Sequence, residues 1–153
     1  MAERISARQL IDLVLDPASY TSWDQAPVVV SADESYRDDL QRAAEKSGVD
    51  EAFITGVGTI RERRVCVIAC DFAFLAGSIG VAASERITSA IERATAEQLP
   101  ILASPTSGGT RMQEGTVAFV QMIKIAAAVA EHKAQHLPYL VYLRNPTTGG
   151  VFA

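Results

Sequence analysis

Three short glycine-bearing segments are the part of this sequence whose residue types could do chemistry. They lie at 76–80, 107–109 and 147–150. Glycine lets a ligand approach the main chain and lets amide N–H groups turn outward. Two amides aimed at one oxygen form an oxyanion hole, and the start of a helix favours a developing negative charge. The segments therefore predict stabilisation of an oxyanion by main-chain amides rather than by a side-chain acid or base.

A strand precedes each segment, and a helix follows the first two. The patterns predict strands over 65–74, 101–103 and 139–143, with helices over about 81–98 and 114–135. Such alternation implies parallel strands, and ligands bind beyond the carboxyl ends of parallel strands. One glycine segment alone is as well explained by a tight strand-to-helix turn. Three at the same sheet edge favour a ligand site on which they converge.

The first fifty residues form a different pattern, and we expect a helical and extended segment over 1–50 followed by an α/β domain over 51–153. The N-terminal part predicts a helix over 6–15 capped by Ser6, a short β run over 27–30 and a polar helix over 35–46 closed by Gly48. The domain begins with a predicted hairpin whose strands, 52–60 and 65–74, are joined by a turn at 61–64. Gly56 and Gly58 indicate a bulge or a close backbone approach.

Other chemistries find less support in the residues. No phosphate loop or dinucleotide fingerprint is present, and Ser78, Ser104 and Ser107 lack the context of a nucleophile elbow. His132 and His136 lie one helical turn apart without a third ligand, so we predict no metal site.

The two cysteines also predict no special chemistry. Cys66 and Cys70 lie on one strand, where residues four apart are separated by ~13 Å. That distance excludes a disulfide, so we expect buried thiols.

Composition excludes further classes of partner. The net charge of −4 and the lack of a lysine or arginine cluster argue against nucleic acid. No apolar run approaches the ~20 residues that span a bilayer, and the N-terminus lacks a signal-peptide core. We therefore expect a cytoplasmic protein. Arg111 and Glu114 are three residues apart, a spacing that allows their side chains to pair. On the last helix an apolar stripe (Phe119, Met122, Ala126, Val129) is expected in the core.

At these residues the chain resembles the carboxyltransferase β subunits of biotin-dependent acyl-CoA carboxylases. The matching segments run in family order from about Ile5 to the end: TGVGTI at 55–60, DFAFLAGSIG at 71–80, ERI at 85–87, SGGTRMQEG at 107–115, QMIK at 121–124 and PTTGGV at 146–151. The fourth and sixth are highly specific together.

The resemblance implies a crotonase-like ββα spiral, incomplete in this chain, that transfers a carboxyl group from N-carboxybiotin to the α-carbon of an acyl-CoA. It implies that amides of Gly108 and Gly109 are catalytic and hold the thioester carbonyl. Biotin then takes a proton, and the enolate attacks the released carbon dioxide. The substrate-binding residues implied are Ala76, Gly77, Ser78, Ser107, Arg111, Thr147, Thr148, Gly149 and Gly150. No metal is implied.

Three features depart from the family pattern. Ala76 and Ser84 stand where the family usually has glycine, which narrows the site if the positions face it. The four-cysteine zinc ribbon of many bacterial β subunits is absent.

The resemblance also implies partners. We expect acyl-CoA, a biotin carboxyl carrier with its biotin carboxylase, and either a complementary carboxyltransferase half or further copies of the chain in a homo-oligomer. The open sheet edge places that contact near 138–153 and predicts little activity for the chain alone. Two alternatives stay open: decarboxylation of a malonyl-type thioester, and a truncated, non-catalytic CoA-binding or scaffold subunit.

Overall fold

The computed structural model of the protein describes residues 4–28 and 33–148. Its centre is a five-stranded mixed sheet in which the strands follow chain order. The strands are β1 (Thr21–Ser22), β2 (Phe53–Ile60), β3 (Arg63–Cys70), β4 (Ile101–Ser104) and β5 (Tyr139–Val141). The helices are α1 (Ala7–Val14), α2 (Glu34–Ser47), α3 (Val81–Ala96) and α4 (Gly115–Ala134).

The sheet is antiparallel in its first half and parallel in its second. β1, β2 and β3 pair antiparallel. β3, β4 and β5 pair parallel, as the strand–helix–strand alternation predicts. The carboxyl ends of these last three strands therefore meet at one edge, from which the glycine loops emerge.

The hairpin between β2 and β3 turns on two residues. Arg61 and Glu62 have φ of 50° and 65°, the geometry of a tight hairpin turn. Their amides donate to the Asp16 carboxylate at 3.0 and 2.8 Å. The predicted turn over 61–64 was too long because Arg63 and Arg64 pair with β2. The predicted strand over 65–74 also overran, since pairing ends at Cys70.

The N-terminal helices form as predicted and share the core of the sheet. Ser6 caps α1 in a reciprocal capping box with Gln9, and α2 ends at Gly48 with a φ of 73°. A Cβ on Gly58 would collide with Leu15, which confirms a close approach there. Residues from both sides of position 50 pack in one hydrophobic cluster. Of the β run predicted over 27–30, positions 27 and 28 are not in a strand, and 29 and 30 lie outside the described residues.

α3 covers the sheet on the side opposite α1. Cys66 Sγ lies 3.9 Å from the Ala90 carbonyl oxygen on α3. Both cysteines are buried, unpaired thiols, as expected. Ser84, fully buried on α3, donates to the Gln121 carbonyl oxygen of α4 at 3.3 Å, so it joins two helices rather than facing a ligand.

α4 contacts the fold mainly through α3, and much of its apolar surface is open. The predicted core stripe is wrong for Phe119, which is 65% exposed, and for Ala126, which is also exposed, whereas Met122 and Val129 pack against the core. An apolar cleft of about 720 Å³ separates α4 from β4 and β5. Exposed apolar residues continue around it: Val117, Val120, Ile123, Leu140, Val141, Tyr142 and Leu143. Across the described ranges, no helix combines the length and apolar character needed to cross a membrane.

Candidate active site

Three loops lie side by side at the carboxyl edge of the sheet: the first loop (71–80), the second loop (105–114) and the third loop (142–148). Ile79 in the first loop donates to the Gly109 carbonyl oxygen of the second at 2.9 Å. Ser107 in the second donates to the Pro146 carbonyl oxygen of the third at 2.8 Å, and Thr148 donates back to Ser107 at 3.0 Å. The first two glycine segments and the described start of the third, Thr147 and Thr148, therefore converge, as the sequence predicts.

The amides of Gly108 and Gly109 have acceptors within the protein. Gly108 N–H donates to the Ala76 carbonyl oxygen at 2.9 Å, and Gly109 N–H donates to Ser107 Oγ at 3.0 Å. The first bond joins two backbones, whereas the second ends on a hydroxyl that can rotate about one side-chain bond. In this structure neither amide is open to a ligand.

The amide of Ala76 is a candidate hydrogen-bond donor to a ligand, a role that the sequence analysis gave only to the amides of Gly108 and Gly109. Its backbone is left-handed, with φ 56° and ψ 30°, and the residue is exposed. Its N–H has no acceptor among residues 4–28 and 33–148. A left-handed backbone costs an L-residue ~1–2 kcal/mol, which is a physical reason for glycine at such a position. The exposed, strained residue thus carries an unbonded donor, and its carbonyl oxygen is bonded to Gly108.

Glycine is required at most of these loop positions, for different structural reasons. A Cβ on Gly77 would collide with the Thr106 carbonyl oxygen, and one on Gly80 would collide with the Glu114 carboxylate. Gly109 has a φ of 113°, which favours glycine by itself. Gly108 has neither reason, because its φ is not positive and a Cβ would lie 3.6 Å from the Ala76 oxygen, at ordinary contact distance. A side chain at Gly108 would therefore make only ordinary contacts, so neither its backbone nor its described neighbours require glycine there.

Arg111, assigned from the resemblance to substrate binding, lies beneath the loops. It is 1% exposed, and its guanidinium pairs with Glu51 and donates to the Ser78 carbonyl oxygen at 2.8 Å. Burial alone lowers the pKa of Arg111, but the hydrogen-bonded Glu51 carboxylate raises it, so the guanidinium stays charged. The predicted pairing with Glu114 is present at 3.6 Å. Arg111 holds protein atoms and offers no donor to a ligand.

The side chains of Ser78, Thr147 and Thr148 also bond to the loops themselves, within one loop or between two. Ser78 Oγ lies 3.2 Å from Arg111 Nε. Thr147 donates to Arg144 and Thr148 to Ser107, through carbonyl oxygens at 2.5 and 3.3 Å. Gly149 and Gly150 lie outside the described residues.

Arg144 is a loop residue that sequence reasoning missed. Its Nε donates to Ser104 Oγ at 2.9 Å, and its Nη2 donates to the carbonyl oxygens of Cys70 and Ser104. It thereby ties the carboxyl ends of β3 and β4 together. No motif surrounds Arg144, so the sequence offers no signal for this role.

The two histidines are not arranged to share a ligand. His132 is fully buried, with Nδ1 2.8 Å from Thr95 Oγ1 and Nε2 3.2 Å from the Pro138 carbonyl oxygen. His136 is exposed just beyond the end of α4. Within the described parts of the chain, no group of three or more side chains could hold a metal ion.

An open cleft of about 620 Å³ extends from the first loop to the C-terminal half of α2. Phe72, Leu75 and Ala76 of the first loop form part of its wall. Three cations line it (Arg4, Arg42 and Lys46), together with the carboxylates of Asp39 and Asp71. Asp39 pairs with Arg42, and Asp71 accepts the Ala7 amide at 3.0 Å. The exposed Ala76 thus lies on the wall of a cleft that also carries three cations.

Comparison with known proteins identifies relatives of this fold and site. Residues 3–153 match the model of the carboxyl transferase domain. The chain is 62% identical over 150 residues to a probable biotin-dependent acyl-coenzyme A carboxylase beta3 subunit of Mycobacterium tuberculosis, covering 98% of this chain and 30% of that protein. It is 39% identical to the acetyl-coenzyme A carboxylase carboxyl transferase subunit beta of Gloeobacter violaceus, covering 99% of this chain and 51% of that protein. The chain therefore spans about a third to a half of the length of these relatives.

Two solved structures share the fold. Transcarboxylase 12S, with hydrolysed methylmalonyl-coenzyme A bound, superposes with a TM-score of 0.69 at 28% identity, over 82% of this chain and 23% of that one. The MdcD–MdcE heterodimer of Pseudomonas malonate decarboxylase superposes with a TM-score of 0.73 at 20% identity, over 96% of this chain and 56% of the matched one.

Proposed function

We propose that this chain, which belongs to the carboxyl transferase domain family, forms the acyl-CoA side of an acyl-CoA carboxyltransferase. The observation that carries the proposal is the unbonded amide of Ala76, an exposed residue that is hydrogen-bonded to Gly108 where the three loops meet. The sequence relatives named as carboxylases are 62% and 39% identical to the chain. The likeness to malonate decarboxylase, at 20% identity, concerns the fold alone.

The thioester carbonyl oxygen is proposed to accept from Ala76 N–H and from Gly109 N–H, the latter once the Ser107 hydroxyl has turned away. Removal of the α-proton moves negative charge onto this oxygen, and amides aimed at it stabilise the enolate. An oxyanion-hole donor is worth ~3 kcal/mol in a barrier. Gly108 N–H keeps its bond to Ala76 and holds the two loops in place.

The cationic cleft is proposed to hold the nucleotide end of coenzyme A. That end carries a diphosphate and a 3′-phosphate, which Arg4, Arg42 and Lys46 can pair with, and an adenine that can pack on an apolar wall such as Phe72. Because Ala76 lines the cleft, a CoA molecule lying in it can bring its thioester to the glycine loops.

The carboxyl donor and the partner chains complete the proposal. Biotin, when bound, supplies the carboxyl group in activated form, and the residues described above hold the acyl-CoA that receives it. We place the biotin on a carrier protein loaded by a biotin carboxylase. A second carboxyltransferase half or copy is proposed to cover the apolar cleft between α4 and β5.

Carboxyl transfer itself tests this proposal. The complete carboxyltransferase is incubated with N-carboxybiotin, labelled with ¹³C in the carboxyl group, and with propionyl-CoA. Mass spectrometry is expected to show a CoA thioester that has gained one labelled carboxyl group. Loss of carbon dioxide from malonyl-CoA without biotin would identify a decarboxylase instead. Binding of acyl-CoA without either reaction would identify a non-catalytic subunit.

A further inference from the structure

A buried polar group lies beneath the first and second loops, and we name it the Arg111 cluster: Tyr36, Glu51, Ser78, Arg111 and Glu114. A guanidinium has five N–H donors in a fixed fork, and here all five are engaged. The Glu51 carboxylate accepts two, one of them at 2.9 Å. The Ser78 carbonyl oxygen accepts one at 2.8 Å, Ser78 Oγ one at 3.2 Å and Tyr36 Oη one at 3.4 Å.

Arg111 grips two consecutive residues of the first loop. Its backbone N–H donates to the Ile79 carbonyl oxygen at 2.9 Å, and Ile79 N–H donates to Gly109 at 2.9 Å. Its side chain takes the carbonyl oxygen of Ser78, the preceding residue. Ala76 lies two residues further back in the same loop. The position of its unbonded amide relative to Gly109 therefore depends on how Arg111 holds the strip between them.

Glu114 fixes the other end of the first loop. The N-cap of α3 is Gly80, which has no side chain to cap the helix, and Glu114 accepts the Val81 amide instead, at 2.6 Å. A carboxylate at this place is favoured by the helix dipole. A Cβ on Gly80 would collide with Glu114, so the glycine permits this approach. One residue of the second loop thus anchors the point where the first loop enters α3.

Tyr36 closes the cluster from α2. Its hydroxyl donates to Glu114 Oε1 at 2.5 Å and accepts from Arg111, so it links the two residues that hold the first loop. Tyr36 is not among the residues that line the cationic cleft beside Ala76. Burial and the neighbouring Glu114 raise the pKa of Tyr36 to about 12, so its hydroxyl keeps its proton at neutral pH.

We infer that Tyr36 and Arg111 are positioning residues: they set the first loop against the second so that the amides of Ala76 and Gly109 address the same oxygen. This inference rests on the function proposed above. A purely structural role would lower stability and leave the folded enzyme's turnover unchanged. A positioning role lowers the turnover of enzyme that is fully folded, because small displacements of reacting groups are costly.

The test uses Tyr36→Phe in the complete carboxyltransferase, which removes one hydroxyl and keeps the ring. We expect kcat to fall about tenfold with KM for acyl-CoA within about twofold, because the donors are displaced rather than removed. The matched control is Tyr20→Phe, whose hydroxyl donates to the Thr55 carbonyl oxygen at 3.0 Å, away from the three loops. This control is expected to keep the wild-type kcat. Arg111→Lys, with three donors in place of five, should lower kcat further.

Hydrogen exchange supplies a readout that does not depend on activity. In Tyr36→Phe the amides of Ile79 and Arg111 should exchange about tenfold faster, while those of Ser107 and Thr148 stay as in the wild type. A kcat within twofold of wild type, or a fall explained by the unfolded fraction, would overturn the inference. If the wild-type enzyme transfers no carboxyl group, the proposed function fails, and the exchange rates alone decide whether Tyr36 holds the loop.

Discussion

The carbonyl oxygen of Ala76 accepts a 2.9 Å hydrogen bond from the amide of Gly108. This bond joins two loops that follow different strands, and it holds Ala76, whose N–H is unbonded, against Gly108. The glycines of these loops differ in what they allow. Gly77 and Gly80 allow the loops to pack, whereas a Cβ at Gly108 would make only ordinary contacts with Ala76.

Gly108→Ala tests whether the space that a Cβ at this position would fill is used by a ligand. Its φ is ordinary and a Cβ would meet no atom closer than 3.6 Å, so we expect little change in stability. We expect kcat/KM for acyl-CoA to fall at least about a hundredfold, the scale of losing one oxyanion-hole donor, because the methyl group occupies the space of the thioester. Steady-state kinetics and thermal unfolding measure the two quantities.

Gly77→Ala is the matched contrast. Its left-handed φ of 64° and the collision with Thr106 should lower the midpoint of thermal unfolding. A Gly108→Ala variant that turns over like the wild type would show that the space over Gly108 has no part in the reaction.

Glu51→Gln should strongly destabilise the fold. Glu51 is the buried partner of Arg111, with 2% and 1% of the two side chains exposed. Removing one charge of a buried pair leaves the other uncompensated, which costs about 3 kcal/mol in the free energy of unfolding. Urea unfolding measures it, and Glu97→Gln, at an exposed ion pair with Arg64 and Arg93, should change little. Equal effects of the two variants would contradict the account of the cluster.

The two buried thiols make stability fall at alkaline pH. Burial raises the pKa of Cys66 and of Cys70 from 9.0 to about 12. Below pH 9 both states keep the proton, and above it the unfolded chain ionises first. The slope of the free energy of unfolding should then steepen through pH 9 and approach about 1.4 kcal/mol per pH unit for each thiol once the unfolded thiols are ionised. Unfolding curves between pH 8 and 11 measure the slope, which the double variant Cys66→Ala with Cys70→Ala should flatten.

Lys46→Glu tests the cationic cleft. Reversing a charge on its wall should raise KM for acyl-CoA about tenfold at low salt, with kcat nearly unchanged, because the contact is equal in the ground and transition states. Added salt should reduce the difference in KM between Lys46→Glu and the wild type. Arg63→Glu, on the exposed start of β3 away from the cleft, is the control. A KM unchanged by Lys46→Glu would remove the cleft from the proposed CoA site.

The fold was largely predictable because its signals are local. The apolar runs, Ser6 as a cap and Gly48 as a terminator were readable from the sequence, and the α/β, crotonase-like fold predicted from the resemblance is confirmed. The predictions were wrong where residues distant in sequence determine the bounds of an element or the burial of a side chain. The hairpin turn is shortened by Asp16, a residue of another segment. Phe119 fits a core stripe by spacing, but whether it is covered depends on what packs on α4.

The position of the candidate site in the fold could be predicted from the sequence, but the hydrogen bonds of its amides could not. Loops that follow parallel strands must meet, so their convergence followed from strand order alone. Which amide is bonded depends on the contact between Ala76 and Gly108, which no spacing encodes. Arg111 lies within the family motif and was assigned to substrate on that ground. Its burial against Glu51, a single charge with no motif around it, could not be read from the sequence.

The thioester carbonyl itself reports most directly on the central claim, that main-chain amides at Ala76 and Gly109 polarise an acyl-CoA. Infrared difference spectra of propionyl-CoA labelled with ¹³C at the carbonyl are recorded in solution and bound to the complete carboxyltransferase, without carboxybiotin. The account predicts that the C=O stretch moves to lower frequency in the wild-type complex and that this shift is lost in Gly108→Ala. A bound carbonyl with the frequency it has in water, at saturating enzyme, would contradict it.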